Sequence, residues 1–273
     1  MSAMRHTIQI SVLLLLAAAP LAAQTDYYNT DAGRPMLIED AYALERRGFE
    51  LQVAPMRLTR SQGGIYTWGV EPEIAFGLAN RTQLEIGLPI AYIDQRSGGG
   101  TGITGVEMSL LHNLNVETSI PAFAIAADVL LPVGRFAPSS TYAGVKGIMT
   151  RTFPAGRIHL NAQYTFGRTL PMTAVAPVGG PSQNVEVSRW IAGAAIDRTL
   201  PLKSLLMSAE VYARQSLRTD EPLEWNTGVG VRYQIAPRWV MDGGIGRALT
   251  RSDHAWFLTG GGAYAFGLPW RRR

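Results

Sequence analysis

The chain contains no cysteine, which excludes a disulfide scaffold and thiol chemistry. It has little excess charge: 25 Lys and Arg stand against 21 Asp and Glu, a formal +4. The arginines fall mostly in turns and in the tail Arg271-Arg272-Arg273 and do not line one helical face, so no nucleic-acid partner is expected. Beyond the N-terminal segment no apolar run reaches the length of a membrane helix. The four histidines, His6, His112, His159 and His254, show no short metal-ligand spacing. There is no nucleophile elbow and no His-Glu pair. Gly98-Gly99-Gly100 lacks the lysine and the strand–helix setting of a phosphate loop. No cofactor, no metal and no enzymatic activity are expected.

The N-terminus has a pattern of its own. Arg5 and His6 precede the short apolar stretch Ile8 to Ala19, and Pro20-Leu21-Ala22-Ala23 supplies small residues. Residues 1–23 are expected to be a secretory signal peptide cleaved after Ala23, too short and too poorly flanked for a permanent anchor. Residues 24–47 do not alternate. They are read as an N-terminal periplasmic arm, either a turn of helix over 37–45 or irregular chain at the barrel mouth.

From Phe49 the hydrophobic period becomes two. Leu84, Ile86, Leu88, Ile90 and Tyr92 lie on one face, with Gln83, Glu85, Gly87, Pro89 and Ala91 on the other. Tyr66 to Phe76, Phe123 to Leu131, Ile158 to Phe166, Leu205 to Val211 and Trp225 to Tyr233 repeat the pattern. The segment Val145 to Phe153 is ambiguous, because Lys146, Ile148, Thr150 and Thr152 share a side. Segments of about ten residues, oily on one side and acid-bearing on the other, are what a barrel wall needs when lipid lies outside and a wet lumen inside. A secreted soluble barrel or sandwich is the alternative these patterns leave.

The expected fold is all-β: a membrane-spanning antiparallel up-and-down β-barrel of about twelve strands over residues 48–267, with a basic tail at 268–273. Even parity puts both barrel ends on one side. The even-numbered connections are mostly tight, whereas the odd ones include the long 168–186 loop. Trp68, Tyr92, Trp190, Trp225, Trp239, Trp256 and Phe266 sit near strand ends, where aromatic girdles meet headgroups.

The candidate path-lining or gating residues are Glu71, Glu73, Glu85, Glu107, Asp128, His159, Asn161, Glu210, Arg214 and Arg232, with Glu50, Gln163, Asp197 and Asp242 on the same inner face. Hydrated inside a lumen, such charges favour cations or polar solutes and repel anions. Interlocked, they would instead fill the narrow core of a twelve-stranded barrel. His159 is the residue most suggestive of a catalyst, with Ser109, Ser208 and Asp128 available to it.

Four stretches resemble the outer-membrane "transporter" family typified by the MetA-pathway phenol-degradation barrels. Gly33-Arg34-Pro35-Met36-Leu37-Ile38-Glu39-Asp40-Ala41 is similar to its opening arm. Gly77-Leu78-Ala79-Asn80-Arg81-Thr82-Gln83-Leu84-Glu85 is similar to its turn into the third strand. Val129-Leu130-Leu131-Pro132-Val133-Gly134 resembles a strand end, with Val133 in place of threonine. Arg157-Ile158-His159-Leu160-Asn161-Ala162 resembles a wall strand. The chain departs from many barrels by continuing seven residues past Phe266.

The resemblance implies a Gram-negative-type outer-membrane channel or transporter for small, hydrophobic or aromatic compounds. Membrane lipids, lipopolysaccharide and the barrel assembly machinery would be its partners. A non-transporting structural barrel with a filled lumen is the second expectation, and an outer-membrane lipid-modifying enzyme the third.

Overall fold

A computed structural model describes residues 29–60, 66–94, 100–169, 188–218, 221–250 and 255–267. The segment 1–23 expected to be a signal peptide, the basic tail and nearly all of the 168–186 loop lie outside the described residues.

Fourteen strand segments form one sheet that closes on itself. In chain order they are β1 (Gly48–Arg60), β2 (Tyr66–Ala79), β3 (Thr82–Gly87), β4 (Ile90–Asp94), β5 (Gly100–Ile103), β6 (Val106–Asn115), β7 (Ala122–Leu131), β8 (Tyr142–Phe153), β9 (Gly156–Phe166), β10 (Ser188–Thr199), β11 (Leu205–Ser216), β12 (Glu224–Ala236), β13 (Trp239–Ala248) and β14 (Trp256–Gly267). All pairings are antiparallel, and β1 pairs with β14 from Gly48↔Gly267 to Arg60↔Trp256, which shuts the barrel. Two wall strands are each split in two, so the barrel has twelve strands. β3 and β4 are one strand broken at Leu88-Pro89, and both pair with β2. Pro89 has no N–H to give the ladder; its carbonyl accepts from the Thr104 N–H at 2.9 Å. That contact stitches the break to the matching one between β5 and β6.

Closure pairs the wall strands all round, the condition for a β-structure to lie in hydrocarbon; only the short β5, which pairs with β4 alone, keeps a free side, where the Ile103 carbonyl accepts from the Phe136 N–H at 3.0 Å. Side chains sort by parity. On β7 the accessibility alternates residue by residue over most of its length, with Phe123 and Ile125 outward and Ala122, Ala124, Ala126 and Asp128 inward. The outward set includes Leu51, Ile74, Ile86, Leu110, Ile125, Leu160, Met207, Val229, Val231, Met241, Ile245 and Leu258, all strongly exposed. In water so continuous an apolar surface would drive aggregation; around a barrel it is the lipid-facing band. Leu84, Ile86 and Leu88 are on this face and Gln83 is buried inside, as the alternation predicts.

At one end lie Gly48, Gly267 and the connections 80–81, 116–121, 154–155, 200–204 and 237–238. The opposite end carries the connection 132–141 and the strand ends at Arg60, Tyr66, Asp94, Gly100, Phe166, Ser188, Ser216, Glu224, Ala248 and Trp256. Short turns mark the periplasmic rim. Aromatic rings gather there: Phe49 stacks on Phe76 at 4.5 Å and on Phe266 at 5.4 Å, and Trp239 meets Tyr264 at 4.7 Å. Near the far rim, Tyr66 meets Trp256 at 6.3 Å and Tyr164 meets Phe166 at 5.0 Å. At the periplasmic turn after β6, partial burial pushes the Glu117 carboxyl upward. The Thr152 N–H and hydroxyl, Arg151 and the Tyr42 hydroxyl outweigh it and hold the carboxyl below its usual range.

Val229 is 55 % exposed on the outer face of β12. Val229→Arg should cost about 2–4 kcal/mol if the position lies near the bilayer midplane, read from denaturant unfolding in lipid vesicles. An unchanged unfolding midpoint would contradict a lipid-facing position.

Candidate functional site

Residues 29–47 make no helix and join no wall strand. They were expected at the periplasmic mouth; they enter there but run inside the barrel. Arg47 donates its N–H to the Gly77 carbonyl at 2.7 Å, where the wall begins. From that point the arm coils round the inner wall, and Arg34, Met36, Ile38, Asp40 and Ala41 are all 2 % exposed or less.

A backbone without its own ladder needs partners for every buried peptide group. Here wall side chains provide them. The Leu44 N–H donates to Gln83 Oε1 at 2.6 Å, and the Ala41 N–H to Thr150 Oγ1 at 2.9 Å. Asn161 closes a two-way amide pair with Glu39, accepting from its N–H and donating to its carbonyl, both at 2.9 Å. Glu210 Oε2 accepts from both Leu37 N–H at 2.9 Å and Ile38 N–H at 3.0 Å. Thr259 Oγ1 donates to the Pro35 carbonyl at 3.1 Å, and Arg232 donates to the Arg34 carbonyl at 2.7 Å and to the Asn29 carbonyl.

Ion pairs add to this. The Arg34 guanidinium, 1 % exposed, meets Asp242 at 3.1 Å, Glu50 at 3.2 Å and Asp31 at 3.3 Å. Lys146 reaches Glu39 at 2.6 Å, and Arg157 reaches Asp40 at 3.4 Å. Apolar side chains of the arm enter two inner sockets. Leu37 and Ile38 pack with Ile191, Ala195 and Tyr212, and Ala41 packs with Leu111, Ala122, Ala124, Ala126 and Ile148. At two points the approach depends on a missing side chain. A Cβ on Gly230 would lie 2.5 Å from Pro35 Cγ, and one on Gly193 would lie 2.8 Å from Ile38 Cδ1.

The sequence-derived candidates are all on inward-facing positions but divide into three groups. Asn161, Glu210 and Arg232 hold the arm directly. Glu73, Glu85, Glu107 and Asp128 surround a water-sized cavity of about 20 Å³ between arm and wall, with Glu71 beside them against Gly87. Arg214 stands apart and pairs with Glu224 at 2.8 Å.

His159 belongs to the anchoring set. Its Nδ1 lies 3.0 Å from Thr150 Oγ1 and its Nε2 lies 3.1 Å from Asp197 Oδ2. Its neighbours are therefore Thr150 and Asp197, in place of the Ser109, Ser208 and Asp128 considered from sequence. The order Thr–His–Asp mimics a hydrolytic triad. However, Thr150 is 0 % exposed, lies beneath Ala41 and accepts its N–H, while Arg157 bonds Asp197 at 2.6 Å. The histidine relays rigidity from Asp197 to the hydroxyl that holds Ala41.

The alternation also missed Lys146, Thr150, Gln83 and Asn113 as anchors. Lys146 was visible as the charge that made β8 ambiguous; its inward direction follows once Glu39 is known to lie opposite.

No family model and no curated protein matches the chain. Solved structures do. An outer membrane channel from Pseudomonas putida F1 aligns at TM-score 0.56 and 10 % identity, covering 83 % of this chain and 98 % of that one. The KdgM porin in complex with disordered oligogalacturonate aligns at 0.51 and 12 %, covering 80 % and 99 %. The NanC porin aligns at 0.50 and 9 %, covering 81 % and 100 %. At these identities the likeness is one of fold: a twelve-stranded outer-membrane barrel of the porin and channel type.

Arg34→Ala leaves Asp242 and Glu50 buried without their guanidinium, and should weaken arm docking by about 3–5 kcal/mol. Faster amide exchange at residues 37–41, with the wall amides unchanged, is the expected readout. Equal protection in both proteins would show that the arm is held without Arg34.

Proposed function

We propose that the chain is an outer-membrane channel for small solutes, closed in the conformation described by its own residues 29–47. The observation that carries this reading is the manner of filling. Apart from the Arg47 N–H on the Gly77 carbonyl, the arm is bound to the wall through side chains and joins no strand ladder, so it can leave without breaking a strand pairing. A lumen blocked by wall residues could not be cleared in that way.

The inner wall supports small neutral or cationic cargo. Glu71, Glu73, Glu85, Glu107, Asp128 and Glu210 face inward against the fewer bases Arg57, Lys146 and Arg232, and a lining with an excess of acids disfavours anions. Oligogalacturonate, the compound named with the KdgM porin, is a polyanion that such a lumen would disfavour. Aromatic or hydrophobic compounds remain part of the proposal through the motif likeness to phenol-degradation barrels. Insertion would follow the usual route, with Phe266 as the terminal aromatic read by the barrel assembly machinery and lipopolysaccharide surrounding the outer leaflet.

A second reading has one observation in its favour. The arm's anchors are buried and many, from the Arg34 cluster to the Glu210 carboxylate, as a permanently plugged, structural barrel would have them.

Planar-bilayer recording separates the two. The native barrel should be mostly silent with brief openings. Arg34→Ala combined with Glu210→Ala should give sustained, cation-preferring conductance, and adding Glu85→Gln should reduce that preference. A folded double variant that never conducts at any voltage would leave the structural barrel as the answer.

A further inference from the structure

We infer that a furrow on the lipid face of β10 to β14 holds an acyl chain of one phospholipid of the periplasmic leaflet, with the lipid's phosphate on Arg198. The inference is independent of whether the barrel conducts.

The register of the wall gives the furrow its shape. One side is the outward row that runs from Arg198 on β10 through Met207 and Val231 to Gly243 on β13. The other is the outward row from Ile196 on β10 through Ala209 to Leu258 on β14. Between them the backbone of the inward-facing row, from Asp197 to Gly244, is the floor. Ala209 puts little into this space and Gly243 nothing: a Cβ on Gly243 would meet only the Thr259 carbonyl, at 3.6 Å. The furrow has a volume of about 660 Å³, within the range of about 300–1,000 Å³ over which clefts hold small ligands.

Its course suits a lipid tail. From β10 to β14 it crosses four strand-to-strand steps, which at about 4.8 Å each span roughly 19 Å. It also changes depth. Arg198 is the penultimate residue of β10 at the periplasmic end, whereas Leu258 is the third residue of β14 counted from the opposite end. A chain laid along it starts at the periplasmic interface and climbs into hydrocarbon, one leaflet of which is about 15 Å deep. An acyl chain whose headgroup stays at the interface takes that path.

Charge complementarity selects the headgroup. Arg198 is the only base that lines the furrow. It is exposed, and among the described residues it forms no hydrogen bond and no ion pair. Asp197, the one acid of the floor, turns its carboxylate inward to Arg157 at 2.6 Å. The flanking periplasmic turns add Lys203, between β10 and β11, and Arg238, between β12 and β13, and contain no acid. A guanidinium on the lipid face is tolerated where it reaches the interface, and its fork of donors fits a phosphate. The far end of the furrow, at Leu258, has no base to offer the phosphates of the lipopolysaccharide leaflet.

The test uses the full barrel refolded in a maltoside detergent and titrated with palmitoyl-oleoyl phosphatidylglycerol, with bound lipid counted by native mass spectrometry. One lipid per barrel should survive activation that strips all others. Arg198→Gln should weaken its binding about tenfold by loss of a charge-assisted contact, and Arg198→Lys should restore part of it. Gly243→Leu should displace the lipid by filling the furrow, without touching a charge. Heat-modifiable gel migration confirms folding, and Ala209→Leu replaces Gly243→Leu if that variant does not fold. Val145→Leu, on the lipid face of β8, should change nothing. The matching diacylglycerol, which lacks the phosphate, should bind about tenfold more weakly or worse. No lipid held above the rest would overturn the inference, as would binding that either furrow variant leaves intact. Lipid A held as firmly as phosphatidylglycerol would move the occupant to the other leaflet, and dimers abolished by Gly243→Leu would make it a second copy of the chain; either result overturns the inference.

Discussion

A peptide chain without secondary structure of its own, placed inside a closed barrel, must find a partner for each of its backbone groups on the surrounding wall. Everything unusual about this lumen follows from that requirement. Glu210 turns inward because two consecutive N–H groups, those of Leu37 and Ile38, need one acceptor. Asn161 turns inward because Glu39 presents a donor and an acceptor together. Thr150, Gln83, Thr259 and Arg232 answer single groups in the same way. The inner polar residues are thus a template for the arm as well as a solvated lining.

Polar groups alone would hold such an arm loosely, since each neutral hydrogen bond contributes only about 0.5–1.5 kcal/mol net. The buried Arg34 cluster and the two apolar sockets make its position unique. They also explain the small residues of the wall: Gly193 and Gly230 let it approach Ile38 and Pro35, and Ala122, Ala124 and Ala126 leave room for Ala41. Behind Gly230 and Gly244, the lipid face has an apolar furrow lined by Met207, Val229, Ile245 and Leu258.

The barrel was legible in the sequence because its rule is local. A period of two, broken by short turns, locates most of the wall from Phe49 to Phe266, and the oily face names the lipid side wherever the alternation is clean; over Val145 to Phe153 it is not, and β5 carries no such pattern. The arm was not legible, because its partners are up to 224 positions away and irregular chain carries no period. The same cause hid Lys146 and Thr150, whose direction is fixed by Glu39 and Ala41. Inward Leu111 broke the alternation for a reason visible only with Ala41 beside it. His159 stood out in the sequence as a candidate catalyst; the fold sets it between Thr150 and Asp197, where it supports Thr150.

The account rests on residues 29–47 lying within the barrel, and the absence of cysteine makes that directly measurable. A single Ile38→Cys placed in the folded protein should react with a bulky, membrane-impermeant maleimide far more slowly than Glu45→Cys. Denaturation should make the two rates equal. Equal, rapid labelling of both in the native barrel would put the arm outside the lumen and contradict the account.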